Sequence, residues 1–126
     1  MNNLIIVALG SALGGVSRYL LSDCVRRLFP TAFPLGTLVV NLAGCFVMGL
    51  LAGLLAHTRA LSEARWLLLA VGFCGSFTTF STFAADNLRL LSEKSLPLFL
   101  LNLGLSVAGG LLAAWLGYRL VLHFSE

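Results

Sequence analysis

Residues Gly72 to Phe83 read GFCGSFTTFSTF: two glycines, five hydroxyl side chains and four phenylalanines, with no charge. A long apolar segment runs into this stretch from Trp66. Glycine and hydroxyl residues weaken a helix locally, and a carbonyl freed inside lipid is costly until something satisfies it. The spacing leaves two arrangements open. Either the helix continues, with hydroxyls bonding back to carbonyls one turn earlier, or it breaks and the freed groups meet a ligand. Freed carbonyls favour a hard cation such as Na⁺, and the half-helix beyond a break turns its positive end toward an anion.

The surroundings put this stretch in a membrane. The chain has 126 residues, 59% hydrophobic and only 10% charged, with a mean hydropathy of +0.98. A soluble domain of that size cannot hide so much apolar surface. Four apolar runs emerge, forming one all-α integral membrane domain over 1–126: about 4–21, 35–56, 66–91 and 96–124. RRLFPTAFPLG separates the first two, because Pro30 and Pro34 both break helices. HTRALSEAR separates the second and third, and SEKS the third and fourth. Ser95 suits a cap for the fourth span, with Pro97 tolerated in its first turn. The N-terminal run resembles a signal peptide but lacks a cationic leader and is followed by three further spans, so it is expected to be retained.

Lys and Arg divide almost evenly between the two sides. Arg59, Arg65 and Arg119 fall on one, and Arg26, Arg27, Arg89 and Lys94 on the other. The positive-inside rule needs an asymmetry to choose an orientation. Either the balance is chance, or the chain inserts both ways and pairs with its inverted copy. Small-xxx-small pairs (Gly10/Gly14, Ser11/Gly15, Gly49/Gly53, Gly104/Ala108, Ala113/Gly117) indicate close helix packing. Cys24, Cys45 and Cys74 have no metal-site spacing and read as structural.

Polar groups recur at depth. Asn41 lies in the second span, and Asn102 and Ser106 lie one turn apart in the fourth. Beyond the glycines, Phe80 and Phe83 share a side at i, i+3 spacing, beside a stripe of Thr79, Thr82 and Asp86. Each has a plain packing or interhelical bonding explanation. Together they form a polar track with phenylalanine edges, whose positive rim meets anions, suited to a small hydrated anion. Arg18, near the end of the first span, either snorkels or concentrates anions at a pore mouth. No catalytic set, paired buried carboxylates or side-chain metal cluster is present, so an enzyme is not expected. The alternative is a small dual-topology, proton-coupled exporter of cations or drugs. That mechanism needs a carboxylate inside the membrane, and the first two spans, as bounded here, have none.

GTLVVN (Gly36 to Asn41) and GFCGSFTTFSTF, with GGVSRY (Gly14 to Tyr19) ahead of them, closely resemble the bacterial fluoride channel family called Fluc, over essentially the whole chain. The resemblance implies a dual-topology antiparallel homodimer in the bacterial inner membrane that passively exports fluoride entering as HF. It implies third helices that cross at their breaks around a structural Na⁺ held by the backbone carbonyls of Gly75 and Thr78. It further implies two pores with rings at Phe80 and Phe83, Asn41 as a pore-lining donor, Thr79, Ser81, Thr82 and Ser106 in the polar track, and Arg18 at the vestibule. Departures are Ser76 where a second glycine is common, Asp86 where a longer acid is usual, Asn102 where some members carry tyrosine, and Gly110 where some carry a hydroxyl.

Overall fold

A computed structural model describes residues 2–58 and 60–125. Arg59, one of the charges weighed above, lies outside them. The described residues are all helical apart from short connections. α1 is Asn2–Leu28, α2 Leu35–His57 and α3 Glu63–Trp66; α3 winds directly into a π-helical stretch, Leu67–Cys74. After it come α4 (Gly75–Phe77), α5 (Phe80–Ser92) and α6 (Leu96–Ser125). Four segments are long and apolar enough to cross a membrane: α1, α2, the run from Glu63 to Ser92, and α6.

The first span is longer than its apolar run. α1 continues seven residues past Leu21, because Asp23 pairs with Arg26 at 2.6 Å and Arg27 at 2.7 Å, one turn on. It stops at Leu28, where Pro30 forces the preceding residue out of helical dihedrals. Charge ended the apolar reading, but charge does not end a helix. Asp23 therefore stands in the first span after all, at its end and doubly paired rather than at mid-depth. Arg65 likewise lies in α3 rather than in a loop, where its N–H donates to the Ser62 hydroxyl that caps the helix.

The turn between α5 and α6 is closed without glycine. Lys94 takes φ 56°, the Ser95 N–H reaches back to the Leu90 carbonyl at 2.8 Å, and the Lys94 N–H reaches the Leu91 carbonyl at 3.0 Å. This is the Schellman closure that ends α5 and lets α6 turn back beside it.

Two glycine contacts set the packing. α2 and α6 lie backbone to backbone: a Cβ on Gly49 would overlap the Ala114 carbonyl oxygen, and one on Gly117 would overlap the Phe46 carbonyl oxygen. α1 meets the π-helical stretch where Gly10 and Gly72 face each other. Without a hydrophobic force between helices in lipid, such close approach supplies the attraction. The π-helical winding turns Gly72 toward α1 and Ala70 and Cys74 toward Leu51 of α2, where they form a small core with Met48 and Phe73. Many large apolar side chains, Leu13, Leu111 and Phe124 among them, are exposed on the outside of the bundle.

Candidate functional site

The Thr78 hydroxyl donates back to the Cys74 carbonyl at 2.9 Å, and the Ser76 hydroxyl lies between the Ser11 carbonyl of α1 at 2.7 Å and the Gly72 carbonyl one turn back at 2.9 Å. Thr78 (φ −80°, ψ 156°) and Thr79 (φ −147°, ψ 116°) then take extended dihedrals before α5 begins.

Asn41 of α2 holds this two-residue interval. Its Nδ2 donates to the Thr79 carbonyl at 3.0 Å, and its Oδ1 accepts the Thr79 N–H at 2.7 Å. One amide thus satisfies both main-chain groups of one residue, which apolar surroundings would otherwise penalise. Thr79 Oγ1 caps α5 by accepting the Thr82 N–H at 3.2 Å. These two bonds redirect donors from the helix ladder. In a continuous helix the Thr79 N–H would serve the Gly75 carbonyl and the Thr82 N–H the Thr78 carbonyl. Both carbonyls therefore lose their ladder partners. Between them, the Ser76 carbonyl accepts from Arg18 Nε at 3.1 Å. Released neutral oxygens are the donor type a hard cation takes. Among the described residues no group of three or more His, Cys, Asp and Glu could hold a metal.

A cavity of about 250 Å³ brings together Asn41, Thr78, Thr79, Phe80, Phe83 and Ser106, with Cys45 and Val107 completing its wall. No lining side chain carries a charge. The Phe80 and Phe83 rings lie 5.7 Å apart, tilted by 47°. Ser81 is exposed beside Thr79, its Oγ 3.4 Å from Thr79 Oγ1. Thr82 faces a second cavity of about 350 Å³, lined also by Thr37, Asp86, Arg26 and Arg89. The Thr79 hydroxyl, donating to Thr82 Oγ1 at 3.0 Å, links the two. In the second cavity Thr37 donates to Asp86 at 2.7 Å, and Arg89 donates to the Ala32 carbonyl, tying the first loop to α5. Arg18 lies ten residues before the end of α1, at the level of Ser76, and lines neither cavity.

The span-four residues reveal one participant the sequence reading missed. Asn102 Nδ2 donates to Asn87 Oδ1 at 3.0 Å, and the Ser106 hydroxyl donates to Asn102 Oδ1 at 3.3 Å. Asn102 is 1% exposed and Asn87 7%. The signal for Asn87 was present: Phe83, Asn87 and Leu90 stand at i, i+4, i+7, an inward stripe. Gly110 is buried against Cys45, whose sulfur would lie 3.4 Å from a Cβ there.

The family profile described as CrcB-like protein, Camphor Resistance (CrcB), matches residues 5–118. The chain is 50% identical over 111 residues to a protein of Magnetococcus marinus named fluoride-specific ion channel FluC, covering 88% of this chain and 90% of that one. It is 46% identical over 117 residues to fluoride-specific ion channel FluC 2 of Rhodococcus jostii, covering 92% and 96%. It is 44% identical over 118 residues to fluoride-specific ion channel FluC 2 of Symbiobacterium thermophilum, covering 94% and 96%.

Proposed function

The chain belongs to the CrcB-like protein family, and on that footing we propose that it is a fluoride-selective channel of the bacterial membrane, not an enzyme. The carrying observation is the uncharged cavity of hydroxyls, one amide and two phenylalanine rings at the interval between α4 and α5. A fluoride ion must exchange its water shell for donors without being trapped, and a fixed positive charge at that depth would hold it. Hydroxyl hydrogens and ring edges are weaker and replaceable. Fluoride that entered as HF and ionised leaves passively down its gradient.

We read the extended pair Thr78–Thr79 as the functional break of the third span. The conducting unit is an antiparallel homodimer with two pores. Three features support this. Phe80 is 80% exposed, so one chain alone cannot enclose an ion beside it. A Cβ added at Gly15 or Gly104, members of two small-residue pairs, would meet nothing of another helix within 4 Å. Gly75 is exposed, with its carbonyl released from the ladder. The Gly75 and Thr78 carbonyls of two copies then provide four oxygens for a structural Na⁺ at the crossing, a donor set suited to a hard cation. In this reading Asn41, Phe80, Phe83, Thr79, Ser81, Thr82 and Ser106 line the path, and Arg18 draws anions toward it.

Purified protein in liposomes tests the function. Rapid fluoride efflux with no chloride efflux is expected; proton-driven uptake of a cationic drug with no fluoride flux would select the exporter instead. Phe80→Ile removes a ring edge worth about 0.5–1.5 kcal/mol and is expected to slow fluoride efflux about tenfold, leaving the unfolding curve unchanged. Undiminished efflux would take that ring out of the pore.

A further inference from the structure

The cavity's donors are not equally available. The Thr78 hydroxyl donates to the Cys74 carbonyl, an acceptor that cannot reverse. The Ser106 hydroxyl has a single hydrogen, and it is directed away from the cavity, at Asn102 Oδ1. An anion in the cavity would therefore face the lone pairs of Ser106 rather than its hydrogen. The direction of this bond is set two residues away. Asn102 turns its Nδ2 to Asn87 Oδ1, which leaves only its Oδ1 for Ser106.

Each amide carries one donor end and one acceptor end. If Asn87 and Asn102 both turn over, every bond of the chain is kept with its direction reversed. Asn87 Nδ2 then donates to Asn102 Oδ1, Asn102 Nδ2 donates to Ser106 Oγ, and the Ser106 hydrogen is released into the cavity. Each of the three groups keeps a partner in either direction, but the reversed chain leaves the Ser106 hydrogen without an acceptor until an anion enters the cavity. A negative ion in the cavity interacts differently with the two states, which is the condition for shifting the balance between them.

We infer that Asn87, which lines neither cavity, is a positioning residue for anion passage: it sets the direction of the Asn87–Asn102–Ser106 hydrogen-bond chain, which an anion reverses to draw the Ser106 hydrogen toward itself. The inference rests on the proposed fluoride function and adds a control element outside the pore wall. Asn87 reaches the ion only through Ser106, so its influence disappears when the Ser106 hydroxyl is gone. A role confined to holding α5 against α6 would persist without that hydroxyl.

The test is a double-mutant cycle on fluoride efflux from liposomes, with Asn87→Ser, Asn87→Leu and Ser106→Ala in the full chain. Asn87→Ser is too short to reach Asn102, and Asn87→Leu keeps the volume, so one serves if the other folds poorly. Each single substitution is expected to slow efflux about tenfold, the scale of one hydrogen bond to a charge. Each double variant is expected to match Ser106→Ala alone. Losses that multiply would overturn the relay, as would an Asn87 variant with undiminished efflux. Wild-type protein that passes no fluoride would remove the proposed function itself, whereas normal wild-type efflux with multiplying losses removes the relay alone.

Discussion

Asn41→Asp is expected to reduce fluoride efflux by about a thousandfold while the protein still folds. The carboxylate keeps the acceptor for the Thr79 N–H but replaces the donor to the Thr79 carbonyl with a second oxygen. It also fixes a negative charge in the wall of the cavity. Two like charges about 4 Å apart at an effective dielectric near 20 repel by about 4 kcal/mol, which is about three decades in rate. Asn41→Leu separates the two contributions. It carries no charge but orphans both main-chain groups of Thr79, at about 1–3 kcal/mol each. Its unfolding temperature is therefore expected to fall well below that of Asn41→Asp. Efflux close to wild type in both variants would show that the Asn41 amide neither shapes nor lines the path.

Gly49→Val is expected to destabilise the fold without touching any residue of the cavity. Its Cβ would overlap the Ala114 carbonyl oxygen, 2.9 Å from the Ala114 Cα, and both belong to helix main chain that cannot swing aside. Overpacking at a tight site costs about 1–3 kcal/mol and occasionally more, and contact with backbone falls at the upper end. Helices in lipid attract through close packing alone, so a forced separation of α2 and α6 also weakens the rest of that seam. The measurement is thermal unfolding in detergent together with the recovery of monodisperse protein. An unaltered melting curve would mean that the α2–α6 seam does not hold the bundle.

Much of the architecture could be read from apolar runs and their interruptions. Pro30 and Pro34, the start of the polar stretch after His57 and the Glu93–Ser95 turn fall between helices, while Glu63 to Arg65 and Ser92 lie inside them. The apolar run ends at Leu21 but the helix does not, because a drop in hydropathy leaves the ladder intact and the Asp23–Arg26–Arg27 cluster extends the helix to Leu28. The π-helical winding of Leu67–Cys74 was not legible at all. Sequence patterns are matched to repeats of 3.6 or 2, and LLLAVGFC is apolar at every position, so no face stands out. At the site, Asn41, Thr79, Phe80, Phe83 and Ser106 were marked by being polar or aromatic at unexpected depth, and one cavity gathers them. Asn87 escaped notice because it follows Asp86 and precedes Arg89, in a segment that reads as an interfacial span end. Its partner lies fifteen residues away, across a turn that local spacing does not see. The pair of hydrogen bonds between Asn41 and Thr79 is invisible to local spacing for the same reason, since it joins groups 38 residues apart.

The wide coil before the threonines and the stretched pair at them have opposite effects on reach. An i→i+5 coil packs more residues into each turn and advances less per residue than an α-helix. Two extended residues each advance about 3.3 Å instead of about 1.5 Å. The eight residues of Leu67–Cys74 foreshorten the segment and the two threonines lengthen it again. The two deviations act in opposite directions on the Glu63–Ser92 segment, so its reach stays closer to that of a plain helix than either deviation alone would leave it.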